Sequence, residues 1–312
     1  SFCDGEGPDD PEFARARRAA AVAGISHHDI PFKALDLAAL PHIVRSYDQP
    51  LADFSMLYAA GLAQAIGARS KVALGGSGAD EVFGGYIGYH RQRALGLLLG
   101  LSARFPLLPW GWFSRASGHR PETLRAATRQ PLARRRGFLL QAAAEREAEA
   151  ILSTPAREAL RAQRPSRHID SWAEACEPRD HLDAAMFSDL MVPHQHAVTV
   201  IPDVSGMAIG LEFRAPFLDH RLIEFAASLP RRFTVPSMRD PGRNKAVLKS
   251  ALARHLPEDL VYARKMGFGY GISIPDLFQG AWRRGIERFV ARGRYLELGQ
   301  FDPAAVARAH KP

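Results

Sequence analysis

The chain has 312 residues, 46% apolar and 24% charged, which are ordinary globular proportions and leave room for one to three domains. A net charge of +8 invites a nucleic-acid partner, yet only six of the 41 basic residues are lysine and the arginines are spread along alanine-rich stretches. The tightest cluster, Arg134-Arg135-Arg136, has no interleaved aromatics on which bases could stack, so no nucleic acid is expected.

No membrane is expected either, because the longest apolar candidate, Leu95 to Leu101, is far too short to span one. Ser1 to Gly5 has neither the basic nor the apolar region of a signal peptide. Cys3 and Cys176 are too few for a disulfide framework, which fits a cytoplasmic location.

In chain order, Ser1-Phe2-Cys3 reads as the end of a strand. Asp9 or Asp10 then caps a helix that starts at Pro11 and stops at Gly24. His27 to Ile30 reads as a second short strand, and Pro41 to Tyr47 as a helix. The polar loop Asp48-Gln49-Pro50 to Ser55 leads into a helix ending near Ile66. Val72-Ala73-Leu74 reads as a buried strand entering a tight turn. This alternation predicts an α/β fold with a parallel, doubly wound sheet over about residues 1–100. From Gly88 to Glu177 the pattern is helical and broken by prolines, and Asp180 to Met191 is a further helix, so residues 101–312 are expected to be mainly helical.

The densest stretch runs from Lys71 to Tyr86. Gly75, Gly76 and Gly78 allow close backbone approach and positive φ, and Asp80 and Glu81 open a short helical turn that carries Val82 and Phe83 inward. A strand, a glycine-rich bend and a helix start bearing carboxylates suit phosphate and magnesium chemistry. The plainer alternative is a capping box formed by Ser77 and Asp80. A third reading makes Ser77 a hydrolase nucleophile in a degraded elbow, with Asp203 and His220 or His255 as partners. Pro193-His194-Gln195-His196 and His27-His28 lack supporting ligands and read as surface histidines rather than a metal pair.

Two more stretches are dense. In Gly206 to His220, Glu212 and Arg214 read as structural supports, and Asp219 as the cap of a helix from Arg221 to Leu229 that Pro230 ends. In the other, Gly242-Arg243-Asn244-Lys245 precedes a helix, followed by Arg264-Lys265-Met266-Gly267-Phe268.

In this order and spacing, Leu74 to Tyr86, Gly206 to His220 and Lys265 to Phe268 resemble the synthetase domain of the glutamine-hydrolysing asparagine synthetase family. Asp48, Pro50, Asp53 and Ser55 are similar to a further family segment. The resemblance implies one ATP-dependent synthetase domain of the ATP-pyrophosphatase type over 1–312. Its cofactors would be ATP and Mg2+, and its substrates aspartate and either glutamine or ammonia; a homodimer is left open.

It further implies that aspartate is adenylated with loss of pyrophosphate and that ammonia displaces AMP. Asp80 would hold magnesium, Lys245 and Lys265 would bind the polyphosphate, and Gly76, Ser77 and Gly78 would line the nucleotide site. The strand ending at Cys3 would lie beside adenine.

Several departures accompany the resemblance. The family's phosphate loop and glutaminase domain are missing, so the chain is expected to be an N-terminally incomplete, inactive fragment. Ser77 stands where relatives carry an acid or a tyrosine, Gly75 where they carry serine, and Ile201 and Val204 where many carry lysine and arginine around Asp203. Ser77 also leaves open a relative that amidates a secondary metabolite, a modified peptide or a polysaccharide.

Overall fold

A computed structural model describes residues 2–5, 11–31, 40–49, 53, 55–102, 114, 120–163, 167–191, 196–263 and 280–309. The chain divides into two compact units, one made of residues 1–90 with 192–276 and the other of 91–191 with 277–312. It is a mostly helical α/β chain whose described strands form two short parallel pairs.

In the first unit, β1 (Phe2–Gly5) pairs in parallel with β2 (His28–Pro31), with Cys3 opposite Asp29. Helix α1 (Pro11–Ala23) makes the crossover that parallel strands require. Pro11 stands in its first turn, where no N–H is needed, and Gly24 ends it at φ 66°. Helix α2 (Leu40–Tyr47) follows, and then α3 (Ser55–Gly67), whose start is fixed by the Asp53 carboxylate accepting from the Ser55 amide at 2.9 Å.

Strand β3 (Val72–Leu74) pairs in parallel with β4 (Glu212–Arg214), and the ladder is extended by Gly75 N–H donating to the Arg214 carbonyl at 2.9 Å. The expectation of a buried β3 is corrected: Val72 is 41% and Leu74 74% exposed. Side chains two apart on a strand share a face, and only Ala73, on the opposite face, is half-buried. An apolar run therefore does not mean burial on both faces here. Glu212 and Arg214 share a face of β4 and pair with each other at 2.9 Å while remaining exposed.

Helix α4 (Ala79–Phe83) follows β3, and α5 (Gly88–Ser102) carries the chain into the second unit. There, Leu95 and Leu99 of α5 pack with Leu124 and Ala127 of α6 (Pro121–Thr128) and Leu139 of α7 (Arg135–Ile151). Beyond α8 (Thr154–Gln163) and α9 (Arg167–Glu174), α10 (His181–Met191) lies against α7. Arg134 pairs with Glu174, Arg136 holds the buried Asp189 at 3.0 Å, and Arg135 donates to the Gln130 carbonyl, so the arginine cluster is used internally. His181 is buried; its Nε2 lies 3.1 Å from the Gln92 side-chain oxygen.

Back in the first unit, α11 (Ile201–Met207) lies against α3. The Tyr47 hydroxyl donates to the Ile201 carbonyl and lies 2.7 Å from the Ser205 hydroxyl. Helix α12 (His220–Ser228) is capped by Asp219, which accepts from the Arg221 amide at 3.0 Å. Helices α13 (Ala246–Leu252) and α14 (Glu258–Val261) complete the described part of this unit. In the second unit, α15 (Gly280–Arg292) and α16 (Pro303–Ala309) close the chain. Among the described residues no helix is long and apolar enough to cross a membrane.

Candidate active site

The site grows from the bend after β3. Gly78 occupies the N-cap of α4 at φ 90°, and a Cβ there would lie 2.4 Å from the Leu218 side chain. No side chain caps α4, so the capping-box reading of Ser77 and Asp80 is overturned: the helix starts one residue later than that box requires, and glycine supplies the turn. Val82 and Phe83 point into the core, with the Phe83 ring edge-on to Phe217. Gly84 closes the turn at φ 74°.

Gly85 is needed for a different reason. A Cβ on it would lie 1.8 Å from Asp80 Oδ1 and 2.9 Å from Lys245 Cδ. Only a bare backbone lets these two side chains meet, and they do so at 2.9 Å between Lys245 Nζ and Asp80 Oδ1. Both side chains are about one-quarter exposed, while the Asp80 Oδ1 that meets the ammonium is itself buried.

Lys245 arrives by an unusual backbone. It sits at φ 58° and ψ 39°, in the left-handed region that costs a side-chain-bearing residue about 1–2 kcal/mol. Neighbouring contacts hold it there. Asn244 is only 2% exposed, and its amide nitrogen donates to the Tyr86 carbonyl at 3.0 Å. The Tyr86 hydroxyl donates to the buried Glu81 carboxylate, so α4 and the Asn244 turn are tied together. On the other side of the turn, the Asp240 carboxylate accepts from the Gly242 amide at 2.9 Å.

Of the residues singled out from the sequence, Asp80 and Lys245 are brought together, with Gly76, Ser77 and Gly78 immediately before α4. A Cβ on Gly76 would meet nothing within 4 Å, so that backbone faces open space. Cys3 lies on β1 of the same unit, and Lys265 lies outside the described residues. Sequence reasoning missed Asn244 and Tyr86 as the parts that fix Lys245; a buried asparagine beside a lysine carries no local signature. Ile201 is 1% exposed and belongs to the core.

His194 and Gln195 are outside the described residues, and no group of three or more His, Cys, Asp or Glu side chains gathers among those described. Of the two histidines expected at the surface, His28 is exposed, whereas the side chain of His27, just before β2, is 8% exposed and contacts Asp29 at 3.1 Å. The Cys176 thiol, half-buried, is pushed up to about 11, chiefly by burial, and is no nucleophile at neutral pH.

Chemically, the bend offers one reachable carboxylate, one ammonium and open glycine backbone. A single carboxylate cannot cage a metal ion, but it suits magnesium, which keeps water and shares its shell with substrate phosphates. The bend thus places a cation–carboxylate pair and open glycine backbone at the carboxyl end of a strand in an α/β unit.

A family model described as asparagine synthase matches residues 2–311, and the chain belongs to that family. Among curated relatives, a putative asparagine synthetase (glutamine-hydrolyzing) of Mycobacterium bovis is 29% identical over 239 residues, covering 74% of this chain and 34% of the relative. Asparagine synthetase (glutamine-hydrolyzing) 1 of Bacillus subtilis is 26% identical over 237 residues, covering 73% and 35%. The chain therefore spans about a third of the length of these relatives.

Proposed function

We propose that this chain is the synthetase part of an ATP-dependent, AMP-forming amide ligase in the cytoplasm. The reaction is the conversion of aspartate to asparagine through β-aspartyl-AMP, with ammonia drawn from glutamine. Family membership supports a ligase, and the observation that carries the reading to chemistry is the Lys245–Asp80 pair at the glycine bend. The doubly wound, ATP-pyrophosphatase-type sheet belongs to the same proposal; the described strands are parallel and form two separate pairs.

In this reading Lys245, together with Lys265, binds the phosphates that leave, and Asp80 is the residue that would hold magnesium. Gly76, Ser77 and Gly78 present backbone N–H groups to the nucleotide, and the strand carrying Cys3 flanks the adenine. Magnesium, when bound, neutralises charge on the departing pyrophosphate. Lys245 is held in place before the reaction, so its charge stabilises the leaving group without reorganisation. Ser77 is too weak an acid–base group to deprotonate an attacking nucleophile, which suits ammonia because it attacks as the free base.

Product analysis of the intact protein tests the proposal. ATP, magnesium, aspartate and glutamine should give AMP, pyrophosphate, glutamate and asparagine in equal amounts. ADP and phosphate as products, or turnover without aspartate, would refute it.

A further inference from the structure

Two of the chain's six lysines stand one helical turn apart at 245 and 249, and the second has no role in the site described above. Its position is electrostatically unfavourable in two ways: Lys249 is half-buried, and it lies close enough to Lys245 for the two charges to repel. Burial first and Lys245 second pull its pKa below the ordinary lysine value, with only Asp240 opposing.

What Lys249 holds explains the arrangement. Its ammonium donates to the Gly242 carbonyl, at the start of the turn that delivers Lys245, and lies 5.4 Å from the centre of the Tyr262 ring. Its backbone N–H donates to the Lys245 carbonyl at 2.9 Å. The Lys249 side chain thus holds the turn just ahead of the one residue in it with a left-handed backbone, while Asn244 anchors the same turn to Tyr86.

We infer that Lys249 is a positioning residue: by fixing the Gly242 carbonyl and resting on Tyr262, it keeps Lys245 in the left-handed conformation that aims its ammonium at Asp80. The inference rests on the proposed function for its kinetic consequence, but its structural content stands apart from it. In this inference Lys249 acts through Lys245.

The test combines kinetics and crystallography on the intact protein. Lys249→Met should lower kcat for pyrophosphate release by on the order of tenfold, and Lys249→Arg should restore most of it. In a Lys245→Met background, Lys249→Met should cause no further loss, because the residue it positions is gone. Losses that multiply in the double variant would overturn the inference and make Lys249 an independent phosphate contact or a general structural support.

A crystal structure of Lys249→Met should show Lys245 relaxed to negative φ and drawn away from Asp80; a Lys245 unchanged at positive φ would overturn the inference. If the wild type releases no pyrophosphate, the functional reading fails and this structural comparison still decides the role of Lys249. Should Lys249→Met not fold, Tyr262→Leu removes the ring contact and is judged in the same way. It should lower kcat in the wild-type background and be silent beside Lys245→Met, and a multiplying loss would again overturn the inference.

Discussion

The ammonium of Lys245 meets the carboxylate of Asp80 at 2.9 Å only because residue 85 has no side chain. A methyl group there would overlap the carboxylate oxygen and press on the lysine stem. Gly85→Ala should therefore cost at least tenfold in pyrophosphate release, while destabilising the fold by about 1–3 kcal/mol. Parallel measurements of kcat and of urea unfolding would separate the two effects.

Gly78 and Gly76 make a contrasting pair. At Gly78, a side chain would meet both a φ of 90° and the Leu218 methyls, so Gly78→Ala should destabilise by about 2–4 kcal/mol. At Gly76 nothing lies within 4 Å, so Gly76→Ala should unfold almost like the wild type. If that backbone lines the nucleotide site, Gly76→Ala will instead raise the KM for ATP. Denaturant titration and an ATP saturation curve on each variant check both statements.

His181 is buried, with its pKa lowered to about 4 by burial first and by Arg135 and Arg136 next. The unfolded chain therefore takes up a proton near pH 6.5 while the folded chain does not. Stability from this group is complete above pH 6.5 and is lost as pH falls toward 4, by roughly 3 kcal/mol in all. His181→Gln, which keeps a donor for Gln92, should flatten the fall in stability over that window. Urea midpoints measured at pH 7, 6, 5 and 4 would show it, and an unchanged slope would contradict the assignment.

Asp189 is 1% exposed and accepts from Arg136 at 3.0 and 3.3 Å. Removing the charge from one partner leaves a mostly buried guanidinium uncompensated. Asp189→Asn should destabilise by about 3–5 kcal/mol without altering the Lys245–Asp80 site. Thermal unfolding measures the loss.

Local signals in the sequence carried much of the first unit. Proline at the start of α1, glycine at its end, the Asp219 cap and the glycines around α4 each act within a few residues, so they could be read directly. Strand β4 was not legible, because Glu-Phe-Arg has no strand pattern of its own and is held by its pairing with the distant β3. Nor was the exposure of Val72 and Leu74, since the apolar run does not say which faces find neighbours.

At the site, the left-handed backbone would have been expected on glycine or asparagine, yet it falls on Lys245 because Asn244 is used up anchoring to Tyr86. That anchor and the Lys249 contact to Gly242 are side chain-to-backbone bonds, which local sequence patterns do not reveal.

The most direct test of the account is aspartate-dependent pyrophosphate release by the intact protein and by its Asp80→Asn and Lys245→Met variants. The account predicts release that requires magnesium, a loss of about 10- to 100-fold in kcat for Lys245→Met, and near-complete loss for Asp80→Asn. Release that persists at the wild-type rate in both variants would show that phosphate chemistry takes place elsewhere and that the pair is only a structural contact.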